Sequence, residues 1–217
     1  MPAPLTLVKS ASQLQQEQRH WEEISLDGHE LTLVRGAITE IAGGPSTGKT
    51  SIALSLLAKL TTEGEICAAV DACGGFDPTT AVLAGVDLEN LLWVRCGGDV
   101  EKAFMAADLL VQAKGFGAIW LNLNGLSERT LFLVPKSYWF RYRTRIKETP
   151  TVLLVTAAEH VTGSASQSSF TSARTDTVWS GTGNFKLLRE FHLDLHSRKE
   201  ILGRPLKARI EMDYSEV

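Results

Sequence analysis

The sequence predicts an α/β fold: a mostly parallel central sheet with flanking helices and an antiparallel pair of strands at one edge. Three observations predict it. Short apolar runs alternate with helix-forming segments over most of the chain, a glycine-rich turn joins the first strand of this series to a long helix, and two segments of alternating polarity follow near the C-terminus.

The glycine-rich turn carries a complete phosphate-binding pattern. Residues 43–50 read GGPSTGKT, which fits G-x-x-x-x-G-K-[ST], between a predicted strand over Val34–Ala42 and a predicted helix over Ser51–Leu60. Backbone N–H groups of such a turn and the positive end of the helix surround a phosphate, Lys49 adds a charge, and the Thr50 hydroxyl is placed to ligate Mg²⁺. The predicted nucleotide site therefore contains Gly43, Gly44, Pro45, Ser46, Thr47, Gly48, Lys49 and Thr50.

Further strands and helices alternate after this helix. The strand that follows the helix, 65–71, is apolar enough to be buried on both faces, as in parallel sheets. The predicted strands are 65–71, 90–95, 117–123 and 151–158. Three helices are predicted between them. The first spans 79–85, the second is capped by Asp99, and the third packs Trp139, Phe140 and Ile146 against the sheet and stops before Pro150.

The two ends of the chain differ in character from this series. Residues 161–184 are dominated by Ser, Thr and Gly, which predicts a long loop. After it, Leu187–His196 and Lys207–Met212 alternate in polarity and are predicted as the antiparallel edge pair. Residues 1–30 are predicted as an N-terminal arm with a short helix over Gln13–Ile24, ahead of a core that spans 31–217.

Composition narrows the class of protein. The 217 residues are 44% hydrophobic with a net charge of −3, and they hold neither an uninterrupted apolar stretch of 18 residues nor the apolar core of a secretory signal. Three cysteines (Cys67, Cys73 and Cys96) lack metal-ligand spacing. We therefore expect one globular domain in the cytoplasm, with reduced thiols and no membrane contact.

The order of motifs resembles the core of RecA-type ATPases. The resemblance is carried by RGAITEIAGGPSTGKTSIALSLLA at 35–58, EGEICAAVDACGGFDPTTAVLAGVDLENLLWVRC at 63–96 and GAIWLNLNGL at 117–126, and it extends over roughly 30–215. It implies a RecA-like P-loop fold that binds ATP or ADP with Mg²⁺. Since the chain lacks the oligomerisation unit and C-terminal domain of RecA, it is most similar to the short ImuA proteins, which are accessory to mutagenic translesion synthesis.

Three positions depart from the catalytic pattern that this resemblance implies. Cys73 stands where RecA-type proteins have the water-orienting Glu, Asn122 replaces the Mg²⁺-directing Asp, and Ala157 or Ala158 replaces the γ-phosphate-sensing Gln. A thiol with an ordinary pKa near ~8.5 stays mostly protonated at neutral pH and is no carboxylate. We expect a much reduced ATPase.

Alternative interpretations remain open at these positions. Asp71 or Glu159 could supply the missing carboxylate, and Asn122 could simply cap the turn into Asn124-Gly125. For the base, the resemblance implies that Asp77 contacts adenine and that Thr80, or its neighbour Thr79, replaces the stacking aromatic. The alternative for Asp77 is an N-cap of the helix that follows.

Two regions are candidates for contact with DNA or a partner protein. Arg141 and Arg145 lie one helical turn apart among aromatic residues, although a solvated basic rim on an amphipathic helix is the plainer interpretation. The predicted loop 161–184, with Phe170, Arg174 and Trp179, is the second candidate, and a plain disordered connector is its alternative.

The function predicted from these features is that of a DNA-damage (SOS) accessory protein. The resemblance implies that its partner is RecA or a translesion polymerase subunit, with single-stranded DNA as a further ligand. The rival hypotheses are a working DNA-dependent ATPase of recombination and an interaction scaffold that no longer binds nucleotide.

Overall fold

The structure, a computed structural model, describes residues 23–147, 149–200 and 203–212. Its strands are β1 (Glu23–Ser25), β2 (Thr32–Val34), β3 (Ile38–Ala42), β4 (Cys67–Asp71), β5 (Leu91–Arg95), β6 (Ala118–Asn122), β7 (Val152–Ala157), β8 (Ser168–Thr182), β9 (Phe185–Ser197) and β10 (Leu206–Glu211). Its α-helices are α1 (Lys49–Thr62), α2 (Pro78–Leu83), α3 (Val100–Ala113), α4 (Glu128–Phe132) and α5 (Ser137–Ile146).

The main sheet has eight strands in the order β10-β9-β8-β3-β7-β6-β4-β5. Strands β3 to β8 of this sheet run parallel, whereas β9 pairs antiparallel with both β8 and β10. Every residue of β3, β4, β6 and β7 is buried, because α1 covers one face and α3 and α5 cover the other. The predicted α/β fold with an antiparallel edge pair is confirmed.

The predicted strand over Val34–Ala42 is wrong in one respect, since it is divided into β2 and β3. Gly36 turns the chain with φ of 70°, and a Cβ there would lie 2.8 Å from the Lys147 carbonyl oxygen. β2 pairs instead with β1 in a separate two-stranded sheet. Glu23 and Ile24 therefore belong to a strand and not to the predicted helix, whose other residues lie outside the described part of the chain.

The helix α5 buries Tyr142 in place of the predicted Phe140. Trp139 and Ile146 are buried as expected, but Phe140 is 48% exposed and Tyr142 takes the third core position. Positions i, i+3 and i+7 share a helical face, which selects 139, 142 and 146. The Tyr142 hydroxyl donates a 2.6 Å hydrogen bond to the Phe104 carbonyl oxygen of α3, so the buried phenol is satisfied.

The prediction of a structureless loop over 161–184 is wrong. Residues 168–182 form β8, a 15-residue strand that pairs with β3 over four residues and with β9 along most of its length. Serine and threonine fill many of its positions, so its composition conceals the pairing that stabilises it. Phe170 is 7% exposed and belongs to the core next to α1.

The far half of the β8–β9 hairpin extends beyond its neighbours. β8 pairs with β3 only as far as Thr171, and β9 pairs with β10 only from Glu190 onwards. The hairpin end consequently exposes Val178, Trp179 and Leu187. In the part of the chain that the structure describes, no helix combines the length and apolar character needed to cross a membrane.

Candidate nucleotide-binding site

The phosphate-binding pattern lies between β3 and α1, at the carboxyl edge of the parallel strands. The Gly43 N–H donates to the Ala157 and Ala158 carbonyl oxygens at 3.2 and 3.1 Å, which anchors the start of the loop to the end of β7. Gly48 precedes α1 with φ of 80° and provides no side-chain cap. The N–H groups of the first helical turn are thus directed towards the loop, where they are available to an anion.

Two glycines of the loop allow close contact with the antiparallel strands. A Cβ on Gly43 would lie 2.7 Å from the Ser172 carbonyl oxygen of β8, and one on Gly48 would lie 2.7 Å from Leu193 Cδ2 of β9. The Ser172 hydroxyl also donates a 2.6 Å hydrogen bond to the Thr47 carbonyl oxygen. The loop is therefore held from behind by the β8–β9 hairpin.

Lys49 is turned onto the loop itself. Its ammonium group donates to the Gly43 and Gly44 carbonyl oxygens, each at 2.6 Å, and the residue is 6% exposed. Burial lowers the pKa of this lysine. A bound phosphate would offer the ammonium group charged oxygen acceptors in the same loop. The neighbouring Thr50 is exposed, which leaves its hydroxyl accessible to Mg²⁺.

A cavity of about 430 Å³ opens beside the loop. Apart from residues of the loop and the start of α1, it is lined by Asn124, Gly125, Ala158, Arg174, Leu188 and Phe191. We refer to it as the phosphate cavity. Among the residues that the structure describes, no aspartate or glutamate lines it.

A second cavity of about 560 Å³ shares Ser51 with the phosphate cavity, and its lining includes the charged residues Asp27, Arg209 and Glu211. Leu54, Thr80 and Leu83 line one side of it, and β10 with residues 27–29 lines the other. Its size suits a purine base and a ribose, since ligand sites are concave and mostly apolar. The two cavities thus lie on either side of Ser51, next to the glycine loop and Lys49.

Mg²⁺ would be held here by Thr50 together with phosphate oxygens and water, which is common for this ion. No group of three or more His, Cys, Asp or Glu side chains suited to a metal occurs in the described residues.

Asp77 acts in the structure as the N-cap of α2. Its carboxylate accepts hydrogen bonds from the Thr79 and Thr80 N–H groups at 3.4 and 3.0 Å and from the Thr80 hydroxyl at 2.5 Å. These bonds, first of all the one from the Thr80 hydroxyl, lower the pKa of Asp77. Thr80 lines the larger cavity, whereas Asp77 lines neither cavity. The geometry therefore favours the capping interpretation.

The expected carboxylate positions lie at the ends of β4 and β6. Cys73 is exposed, and its side chain contacts the turn at Gly125, where an added Cβ would lie 3.1 Å from Cys73 Cβ. Partial burial and the Asp71 carboxylate raise the pKa of the thiol, so it stays protonated at neutral pH. Cys73 cannot act as a general base under these conditions.

The carboxylate of Asp71 is already committed to its own loop. One oxygen accepts the Gly74 and Gly75 N–H groups at 3.0 and 2.9 Å, and the other accepts the Phe76 N–H at 3.0 Å. With the residue 1% exposed, this carboxylate stabilises the turn and does not reach the phosphate cavity. The other possible substitute, Glu159, is exposed and does not line that cavity either.

Asn122 caps the turn that follows β6, as its alternative interpretation predicts. Its side-chain oxygen accepts the Asn124 N–H at 3.2 Å and the Asn124 amide at 2.8 Å, and its amide nitrogen lies 3.5 Å from an Asp71 carboxylate oxygen. Thr156 completes this buried polar network. At the end of β7, Ala157 is buried and Ala158 lines the phosphate cavity, so the sensor position holds a methyl group.

The candidates for DNA or partner contact are not brought together. Arg141 and Arg145 both pair with Asp108, Arg141 at 3.1 Å, and Arg141 also lies 4.3 Å from the Tyr138 ring centroid. This arrangement supports the interpretation of α5 as an amphipathic helix with a basic rim. Phe170 lies in the core, and only Trp179, which is 53% exposed, lies at the hairpin end.

Arg174 lies elsewhere than predicted, in the wall of the phosphate cavity. The same cavity contains residues that the sequence reasoning missed, namely Ser51, Asn124, Gly125, Leu188 and Phe191. The first lies next to the motif, and Asn124-Gly125 is a typical turn, but nothing local in the sequence places β9 over the loop.

Comparison with known proteins agrees with this geometry. Residues 27–124 match the RecA N-terminal domain family. These residues are thus similar in sequence to RecA. The chain is 41% identical to RecA of Rubrobacter xylanophilus over 88 residues, and these residues make up 41% of this chain and 25% of that protein. The chain is 46% identical to RecA of Mesorhizobium japonicum over 81 residues, and these residues make up 37% of this chain and 22% of that protein.

The fold is also similar to that of a solved recombinase. The crystal structure of the RadB recombinase superposes with a TM-score of 0.59 at 15% identity, over 83% of this chain and 89% of that one. The sequence matches, by contrast, span about a quarter of the length of the RecA relatives. The fold of this recombinase is thus shared along most of the chain, whereas the family match covers residues 27–124, which include the glycine loop.

Proposed function

We propose that the chain binds ATP or ADP with Mg²⁺ at the phosphate loop and turns it over slowly or not at all. The observation that carries the proposal is the phosphate cavity itself. It combines a complete glycine loop and Lys49 with a lining that holds no carboxylate among the described residues. Phosphate binding requires the first set of groups, and efficient hydrolysis requires in addition a group that orients the attacking water. The amide of Asn124 also lines the cavity, but its nitrogen already donates to the side-chain oxygens of Asn122 and Thr156.

We further propose that nucleotide serves as a conformational cofactor of a cytoplasmic DNA-repair accessory protein. RecA, or a subunit of a translesion polymerase, would be the partner, with single-stranded DNA as a possible ligand. The similarity of residues 27–124 to RecA and the RecA-like fold support this role, and the altered catalytic positions favour an ImuA-like protein of the SOS response over a recombinase.

A nucleotide-free scaffold is the second candidate. The Lys49 ammonium group donates to the Gly43 and Gly44 carbonyl oxygens and lies 3.4 Å from the Thr47 hydroxyl, so this lysine has acceptors without an anion. Binding of nucleotide must compete with these hydrogen bonds.

Thermal denaturation with Mg-ATP separates the two. Ligand at a hundred times its Kd stabilises a protein by about 2.7 kcal/mol, so we expect a clear upward shift of Tm for the wild type. Lys49→Ala should abolish the shift, and Lys59→Ala, on the same helix but paired with Glu63, should keep it. No shift for the wild type would contradict nucleotide binding and favour the scaffold.

The partner is tested with purified components. RecA filaments on single-stranded DNA should retain the wild-type chain in the presence of Mg-ATP and release the Lys49→Ala variant. Equal retention of both would contradict a role for nucleotide in partner binding, and no retention of either would contradict RecA as the partner.

A further inference from the structure

Arg174 is positioned by the hairpin that lies behind the phosphate loop. Side chains alternate along β8, so Arg174 shares a face with Phe170 and Ser172, the face next to α1. Its cross-strand partner is Leu193, the side chain that contacts Gly48. Arg174 therefore stands beside the end of the loop, and its side chain lines the phosphate cavity.

The guanidinium group of Arg174 has no partner among the described residues. Several other arginines are paired, namely Arg35 with Glu65, Arg141 and Arg145 with Asp108, and Arg209 with Glu190. The side chain of Arg174 forms no hydrogen bond or ion pair with any described residue, and the residue is exposed and lines the cavity. The cavity thus has two cations, Lys49 and Arg174, and no described acidic residue to neutralise them.

We propose that Arg174 binds the terminal phosphate of a nucleoside triphosphate in cis, and that this contact ties the β8–β9 hairpin to the state of the nucleotide. The inference rests on the proposed function, since it requires nucleotide in the phosphate cavity. Loop amides and Lys49 hold the phosphates within the loop, and Arg174 is the remaining cation. A guanidinium group matches two phosphate oxygens at once, which makes it suited to a phosphate that carries the largest charge.

The hairpin connects this contact to an exposed surface. Ser172 holds the Thr47 carbonyl oxygen at 2.6 Å, and Leu193 packs on Gly48, so β8 and β9 are attached to the loop at two points. Beyond Arg174 the same strands end in the exposed Trp179 and Leu187. A third attachment, present only with a triphosphate, restrains the hairpin end in the ATP state and releases it in the ADP state.

Affinities for ATP and ADP test the contact. By calorimetry with Mg²⁺, Arg174→Ala should weaken ATP binding about 10- to 100-fold, because a hydrogen-bonded charge pair is lost, and change ADP binding less than about threefold. The ATP affinity of Arg174→Lys should lie between that of the wild type and that of Arg174→Ala. Arg198→Ala removes another exposed guanidinium group, outside the cavity, and should bind both nucleotides as the wild type does.

Hydrogen exchange provides a readout of the hairpin. In the wild type, ATP should slow amide exchange over residues 175–188 more than ADP does. In Arg174→Ala, the two nucleotides should have the same effect on this exchange. An unchanged ATP affinity of Arg174→Ala, when the wild type binds and Lys49→Ala does not, would overturn this inference and leave the proposed function standing. An equal loss of ADP binding would overturn the assignment to the terminal phosphate, and a wild type that binds no nucleotide would overturn both proposals.

Discussion

The phosphate loop and the strand ends beside it lie at the same edge of one sheet, yet they differ in the chemical groups that they present to a ligand. The loop between β3 and α1 presents backbone N–H groups, two closely packed glycines and Lys49. The ends of β4, β6 and β7 present a thiol at Cys73, an amide at Asn122 and a methyl group at Ala158.

This difference follows from the chemistry that each region performs. Anion binding depends mainly on the course of the backbone, so it is retained wherever the glycines and the helix start are retained. Hydrolysis depends on particular side-chain atoms placed to within about half an ångström, so replacement of these side chains slows it strongly. A site can therefore keep its ligand and lose its reaction.

The largest expected effect concerns the loop glycines. Gly48→Ala introduces a Cβ at a φ of 80° and against Leu193, which should destabilise the fold by about 3 kcal/mol through strain and overpacking. Gly44→Ala is the matched control, because nothing lies within 4 Å of its added Cβ, and it should cost less than about 1 kcal/mol. Urea denaturation measures both, and equal losses would contradict the close packing of the loop on the hairpin.

A smaller loss is expected at the strand ends, from Asp71→Asn. The asparagine side chain keeps one acceptor oxygen, but its NH₂ group replaces the other oxygen and would face a backbone N–H donor of the same turn. The free energy of unfolding should therefore fall by about 2 kcal/mol. If Asp71 holds only its turn, nucleotide affinity should stay within about twofold of the wild type, apart from this destabilisation. A large, selective loss of ATP affinity would instead indicate that Asp71 serves the bound phosphates.

The strand that leads into the loop contains a buried carboxylate with a pH signature. Glu40 is fully buried and accepts hydrogen bonds from the Val161 and Thr162 N–H groups and the Ser169 hydroxyl, at 2.7 to 2.8 Å, with His160 Nδ1 at 2.9 Å. Burial alone would raise its pKa, but these hydrogen bonds, led by that of Ser169, outweigh burial and lower it below the ordinary value of 4.5.

A lowered pKa in the folded state means that ionised Glu40 stabilises the fold above about pH 4.5, and that this contribution is lost as pH falls through the folded-state pKa. Glu40→Gln should cost about 1–2 kcal/mol at pH 7 and flatten the loss of stability on acidification. Denaturation at a series of pH values measures both. A variant that loses stability in acid as steeply as the wild type would exclude Glu40 as the source.

The smallest expected effect is a gain of hydrolysis from Cys73→Glu combined with Asn122→Asp. Restoring both carboxylates should raise the rate of phosphate release about tenfold, which corresponds to about 1.4 kcal/mol of activation free energy. The gain is limited because the new Asp would stand beside Asp71, whose oxygen lies 3.5 Å from the Asn122 amide nitrogen, and like charges at this distance repel. No gain would show that the site is impaired elsewhere.

How far the sequence predicts this molecule depends on how local each feature is. The GGPSTGKT loop and the turn capped by Asn122 follow from neighbouring residues, so they were predictable. The strand β8 was not, since its Ser- and Thr-rich sequence forms a strand only through pairing with β3 and β9, residues distant in the chain. Arg174 was for the same reason placed in a loop for DNA contact, whereas the hairpin brings it to the phosphate cavity.

The central claim, that nucleotide binding persists without efficient hydrolysis, is tested most directly by phosphate release from the purified protein under conditions where ATP is shown to be bound. We expect release near the background rate, with and without single-stranded DNA. A DNA-stimulated rate of order 0.1–1 s⁻¹ would contradict the account, because it approaches the range of typical enzymes, roughly 1–10³ s⁻¹.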